Sequence, residues 1–204
     1  MNGHVAATVA GVPVLVGDVD MRERRLRTSR LAAAMPRPGT SEGRQLRRWL
    51  TQLVVTERVV SAEAAARGVT ADGAPHEGDL LPDVAARLEI GSVAASALEH
   101  PLVRALFADV TADVHVSDAD VADYHARNPL RFAAPSPAAG GWHARAEAPA
   151  LADVRQAITE HLLAAARRRS FRVWLDARRA VLVELAPGYE HPGDPRQPDN
   201  THRH

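Results

Sequence analysis

Leu46, Trp49, Leu50, Leu53, Val54, Val60 and Ala64 recur at helical spacing along RRWLTQLVVTERVVSAEAAARGVT and stop at Gly68, which can take the left-handed conformation that closes a helix. A stripe of that length needs other helices to cover it, so it steers the chain toward a helical frame. A second long pattern carries Leu151, Val154, Ile158, Leu162, Phe171, Val173, Trp174 and Leu175, and is followed by VLVEL at 181–185, which reads as a strand. Near the start, VAATV is a short strand, Ala10 and Gly11 make a turn, 14–16 is a second strand, and Asp18 caps a helix. The late strand can pair with 5–9 or with 14–16, bringing the two ends of the chain together. The expected fold class is mainly α, with a small β-hairpin or sheet joining the N- and C-terminal segments.

Between these patterns, VSDADVADYHARNPLRF at 116–132 predicts a helix over 118–127. Ser117 caps it with Asp120 three residues on, Val121 and Tyr124 share a face, and Asn128 before Pro129 ends it. Tyr124 and Phe132 are expected to anchor the returning segment against Trp49 and Leu53, which are expected in the core. The stretch 70–101 is less regular: Gly73, Pro75, Gly78 and Pro82 break it, with a short helix over 83–88. Ser92 caps a further helix through Ala97 toward Phe107 and Val110, bent or interrupted near Pro101. Leu98, Leu102, Leu106 and Val110 form an apolar stripe there, read either as core packing or as a groove that faces a client polypeptide.

The order of these segments resembles the SurA, PrsA and trigger-factor group of folding factors. The 116–132 segment is similar to the helix that leads into their prolyl-isomerase module, the opening strand–turn–strand–helix to their N-terminal region, and the Ala-rich, Arg-Gly ending to their long helix. That resemblance covers about residues 3–132 and 150–186. It implies one discontinuous chaperone-like domain over 1–132 and 150–186, with 133–149 a short loop where the isomerase module would stand and 187–204 a tail. A parvulin-type module needs on the order of a hundred residues, so no isomerase activity is expected. The implied action is non-catalytic: holding an unfolded or dedicated client polypeptide.

Composition limits the alternatives. Hydrophobic residues at 46% and charged residues at 25% suit one globular core, while aromatics at only 4% leave close, Ala-rich helix packing to hold it. Twenty-five basic residues, every one an arginine, balance 25 acidic ones to a net charge of zero. The arginine runs at 22–30, 44–48 and 167–172 therefore read as solvated helix faces, and no nucleic-acid partner is expected. No basic leader precedes an apolar run and no stretch suits a membrane span, so a cytoplasmic protein without a membrane partner is expected. With no cysteine, disulfides and thiolate chemistry drop out. The patterns G-x-x-x-x-G-K-[ST], G-x-G-x-x-G and H-E-x-x-H are absent, and no enzyme is expected.

The tail APGYEHPGDPRQPDNTHRH is rich in proline and lies outside the resemblance. No cofactor is required by the frame, yet His191, Asp194, Asp199, His202 and His204 are nitrogen and oxygen ligands of the type that takes zinc, nickel or copper. The alternatives to a client holder are thus a metal-binding accessory protein and a structural subunit of an enzyme complex. A tail that docks in a partner's cleft is a third use for the prolines.

Overall fold

The computed structural model describes residues 4–30, 32–133, 148–192 and 194. The chain opens in a hairpin of β1 (Val5–Val9) and β2 (Val12–Leu15), followed by α1 (Val16–Arg27). Ala10 at φ 50° and Gly11 at φ 78° both take the left-handed region, as a two-residue turn matched to strand twist requires. The second strand thus starts earlier than expected and Val16 is already helical. Leu15, and not Asp18, occupies the cap position; Asp18 sits three residues further and accepts the Leu15 N–H at 3.1 Å, so its carboxylate serves the first turn from inside the helix.

Next comes α2 (Ser41–Arg67), capped by Thr40, whose hydroxyl accepts the Gly43 N–H at 3.1 Å, and closed by Gly68 at φ 69°. Seven consecutive residues, 50–56, are buried, which a helix lying on a surface cannot achieve. α2 is accordingly the central post, covered by α1, β1, α5 (Ser92–Ala97), α6 (Pro101–Val110) and α8 (Leu151–Leu182). Short α3 (Glu77–Leu80) and α4 (Val84–Ile90) precede α5, and α7 (Asp118–Arg127) precedes α8. Ser117 and Asp120 cap α7 reciprocally, as the sequence predicts.

The expected helix over 83–88 runs to Ile90, with Asp83 accepting the Ala86 N–H at 2.8 Å. Gly91 at φ 90° takes the cap position assigned to Ser92, whose hydroxyl instead receives a long 3.4 Å bond from Trp49 Nε1. Pro101 divides α5 from α6 and stands at the first turn of α6, where its missing N–H costs nothing. α8 continues through Leu182, so the late strand is only β3 (Val183–Leu185), two residues shorter than expected. It pairs antiparallel with β1, Ala7 opposite Leu185 and Val9 opposite Val183, giving the order β2-β1-β3. The molecule is mainly helical with one small antiparallel sheet that joins its N- and C-terminal segments.

The main core gathers Val9, Val14, Val55, Val59, Ile90, Leu98, Leu106, Phe107, Phe171 and Leu175. Phe107 and Phe171 meet at 5.1 Å between ring centroids, and Phe171 stacks on Trp174 at 5.6 Å. A smaller core of Ala6, Val19, Leu50, Leu53 and Val93 lies under α1. Leu53 is buried as expected, but Trp49 is only half-buried at its margin, because its ring lies along the edge where Tyr189 also packs. Tyr124 and Phe132 do not reach Trp49 or Leu53. They close around His161 of α8, at 5.5 and 6.0 Å, because α7 packs on α8. No helix of the described residues is long and apolar enough to cross a membrane.

Candidate functional site

α8 is 32 residues long, about 48 Å at helical rise, and reaches well past the core. Its C-terminal half buries Arg168, Phe171 and Leu175, whereas Ile158 is the only fully buried residue before them. The intervening run 161–167 is half-buried throughout. Beside it, the end of α6 and the 75–80 segment complete a cleft of about 560 Å³, within the range that holds a small ligand or a few side chains. Leu80, Phe107, Ala108, Ala112, Leu163 and Ala164 give it apolar walls, with the carboxylates of Asp79 and Glu160 exposed at the rim.

Two arginines stand on the α8 wall and behave differently. Arg168 is buried and satisfied: Nε meets Glu89 at 2.7 Å and Nη1 donates to the Leu80 carbonyl at 3.2 Å. Glu89 also takes Arg169 at 3.2 Å, and the Glu89 carbonyl takes Arg172 at 3.0 Å. Arg167, one residue earlier, has its Nε shielded from solvent with no hydrogen-bond partner. A buried N–H left unpaired costs about 1–3 kcal/mol.

The expectation that the arginine runs form solvated faces holds for Arg24, Arg25, Arg30, Arg44, Arg169 and Arg172, which are exposed, and is corrected at Arg48 and Arg168. Arg168 and Arg48 are buried, and Arg47, Arg178 and Arg179 are tied into α1, Glu63 and the Gln52–Thr56 stretch of α2. A signal existed in the sequence: Arg168, Phe171 and Leu175 share helical spacing, which places Arg168 on the buried face. Arg167 and the cleft carried no comparable signal, because the cleft is made by three segments far apart in sequence.

The predicted client stripe is divided by the fold. Leu98 and Leu106 are fully buried in the main core, so they are packing residues and present no surface to a client. Val110 and Leu102 are half-buried against the same core. Leu102 borders an opening, a groove of about 550 Å³ where α1, α2 and the start of α6 meet, with Met21, Val54 and Val103. The charges there are largely spoken for, Arg22 meeting Glu57 at 2.9 Å.

The tail segment begins as part of the fold. Ala186 N–H donates to the Ala6 carbonyl at 3.0 Å, Gln52 Nε2 donates to the Tyr189 carbonyl at 3.0 Å, and Arg179 in turn donates to the Gln52 side-chain oxygen Oε1. Side-chain donors of α2 thus hold residues 188 and 189. Of the five predicted metal ligands, His191 and Asp194 lie among the described residues, while Asp199, His202 and His204 lie outside them. No group of three His, Cys, Asp or Glu residues that could hold a metal occurs among the described residues. His191 sits in a groove with Ile90, Val93, Asp176 and Arg179. Burial first, and then the Arg179 cation, push its pKa below the ordinary 6.5, against the pull of Asp176 and Asp194. The same cation works against a metal ion.

Because the folded pKa of His191 is the lower one, its contribution to holding residue 191 in the groove is present above about pH 6.5 and is lost as pH falls through the folded value. The His191 ring protons are expected to titrate with a midpoint below 6.5 in an NMR pH series. A midpoint at 6.5 would place the imidazole in solvent, and one above it would mean that Asp176 and Asp194 outweigh burial and Arg179.

Residues 5–42 match the model of a family of unknown function (DUF7158). That match takes in β1, β2 and α1 and stops as α2 begins, so it lies away from the α6–α8 cleft. No curated protein and no solved structure matches the chain.

Proposed function

We propose that this protein is a non-catalytic holder of polypeptide, acting on an unfolded or dedicated client in the manner of a SurA- or PrsA-type frame without its isomerase module. The observation that carries the proposal is the α6–α8 cleft: apolar walls from buried Phe107, exposed Ala108 and half-buried Leu163 and Ala164, with an arginine Nε on the α8 side that lacks a partner. Apolar surface held open by rigid helices binds exposed apolar segments without needing a catalytic group. The link from α7 to α8 spans only 128–150, far short of the hundred or so residues of a further enzymatic domain. A metal-handling role finds less support, given Arg179 beside His191. The partner is a protein client; neither a nucleic acid nor a bilayer enters the proposal.

The test is light scattering from a chemically unfolded model protein diluted into buffer with and without the intact chain, together with a proline-limited refolding assay. Suppression of aggregation at near-equimolar ratio, without nucleotide, and no acceleration of the proline-limited phase are expected. Unchanged scattering would remove the proposal, and acceleration of the slow phase would replace it with an isomerase.

A further inference from the structure

We propose that the face of α2 bearing Arg48, Trp49 and Gln52 is a binding site for an extended polypeptide segment with a Gly-Tyr step, which the chain occupies in cis with its own residues 187–191. The segment seated there selects the occupant. Beyond β3 the chain turns at Gly188, φ 91°, and crosses α2, where the Gly188 carbonyl accepts from Arg48 Nε at 3.4 Å and the Tyr189 carbonyl from Gln52 Nε2 at 3.0 Å. Arg48 and Gln52 are four residues apart, so they stand one above the other on the helix. Arg179 fixes what they present: a guanidinium only donates, so with Arg179 on Gln52 Oε1 the amide turns its NH2 toward the strap. Two side-chain donors facing successive main-chain carbonyls read backbone in any sequence. Residue type is read beside them. Tyr189 packs on the smaller core at the margin it shares with Leu46 and Trp49, and its hydroxyl is a hydrogen-bond partner of Arg47, which Asp20 and Glu23 hold in place. The positive φ before it favours glycine, and for conformation alone, since a Cβ at 188 would meet nothing within 4 Å.

The strap and the surface under it are built to different firmness. None of the described residues from 186 to 194 is fully buried, whereas Gln52 is 0% exposed and Arg48 6%. The receiving side therefore belongs to the central post, while the strap holds on by a few hydrogen bonds and one ring, contacts that another extended chain can reproduce. A purely apolar ligand would leave the two buried donors without acceptors, so the site selects main chain. A segment tethered this closely competes at an effective concentration in the millimolar range, which hides the site from weak ligands and yields it to strong ones. This face is distinct from the α6–α8 cleft, and the inference does not rest on the holder reading.

The test uses the full-length chain and a fluorescein-labelled, C-terminally amidated peptide Ala-Pro-Gly-Tyr-Glu-His-Pro, the sequence of 186–192. Tyr189→Ala, which removes the ring from the site, is expected to bind this peptide about tenfold more tightly than the parent by fluorescence anisotropy, because more of the chain is open to it. The same peptide with alanine for its tyrosine is expected not to bind. The Trp49 indole N–H resonance is expected to shift as the tyrosine peptide is added. Gly188→Ala keeps the strap contacts but strains the turn, and is expected to raise peptide affinity by about five- to thirtyfold, the factor for a non-glycine residue in the left-handed region. It carries the test if Tyr189→Ala does not melt cooperatively. Folded variants that bind the peptide no better than the parent would overturn the site and leave 187–191 a structural strap only. Binding that leaves the Trp49 resonance unmoved would place the peptide elsewhere and overturn it equally.

Discussion

Phe171→Ala is expected to lower the unfolding free energy by about 3–5 kcal/mol, the cost of emptying a large aromatic site in a core that relaxes only in part. Phe171 is fully buried, joins α6 to α8 through Phe107 and stacks on Trp174. For a chain of this size each kcal/mol moves the melting temperature by about 2–4 °C, giving a fall of roughly 6–20 °C by calorimetry. Val173→Ala two residues along, at 65% exposure, should stay within about 0.5 kcal/mol of the parent. Equal melting temperatures for the two variants would mean that α8 does not dock through this ring.

Glu89→Ala should be nearly as damaging, at about 3 kcal/mol, although it removes only a polar side chain. The reason is what it leaves behind: Arg168, 7% exposed at its side chain, would keep a buried positive charge facing an empty space. Replacing Arg168 by Met in the same chain removes the orphaned charge while keeping the packing of its aliphatic stem, so the double variant Glu89→Ala/Arg168→Met is expected to recover at least about 1 kcal/mol of the loss. Denaturant midpoints of the four proteins of the cycle measure it. A double variant no more stable than Glu89→Ala alone would show that the pair is not the link between α4 and α8.

The sequence carried α2 almost whole, from its apolar stripe to the left-handed Gly68, and it carried α7 to the residue. Both are locally determined: a capping pair or a closing glycine acts within one helical turn, and apolar spacing reports a buried face. What it did not carry was which patterns face each other. Leu98 and Leu106 have the same spacing as a binding stripe would, and only the packing of α5 and α6 on α2 decides that they are core. Arg167 and Arg168 are neighbours of one type, and only the position of Glu89 on α4 makes one of them structural and leaves the other's Nε without a partner. Val181 and Leu182 have strand-forming composition, yet α8 absorbs them because helix already formed upstream propagates at little cost.

The pairing of β1 with β3 places a condition on how the molecule is made. Thr8 and Glu184 are neighbours in the sheet but 176 positions apart, so at about 5–20 residues per second a nascent chain carries β1 for roughly 9–35 s before its partner strand has been synthesised. Throughout that interval β2 covers one edge of β1 and the other presents unpaired N–H and carbonyl groups, a template for any strand that reaches it. A copy truncated by stalling or cleavage before residue 183 would never leave that condition. Incomplete copies, rather than unfolded full-length ones, are thus the population in which self-association should start.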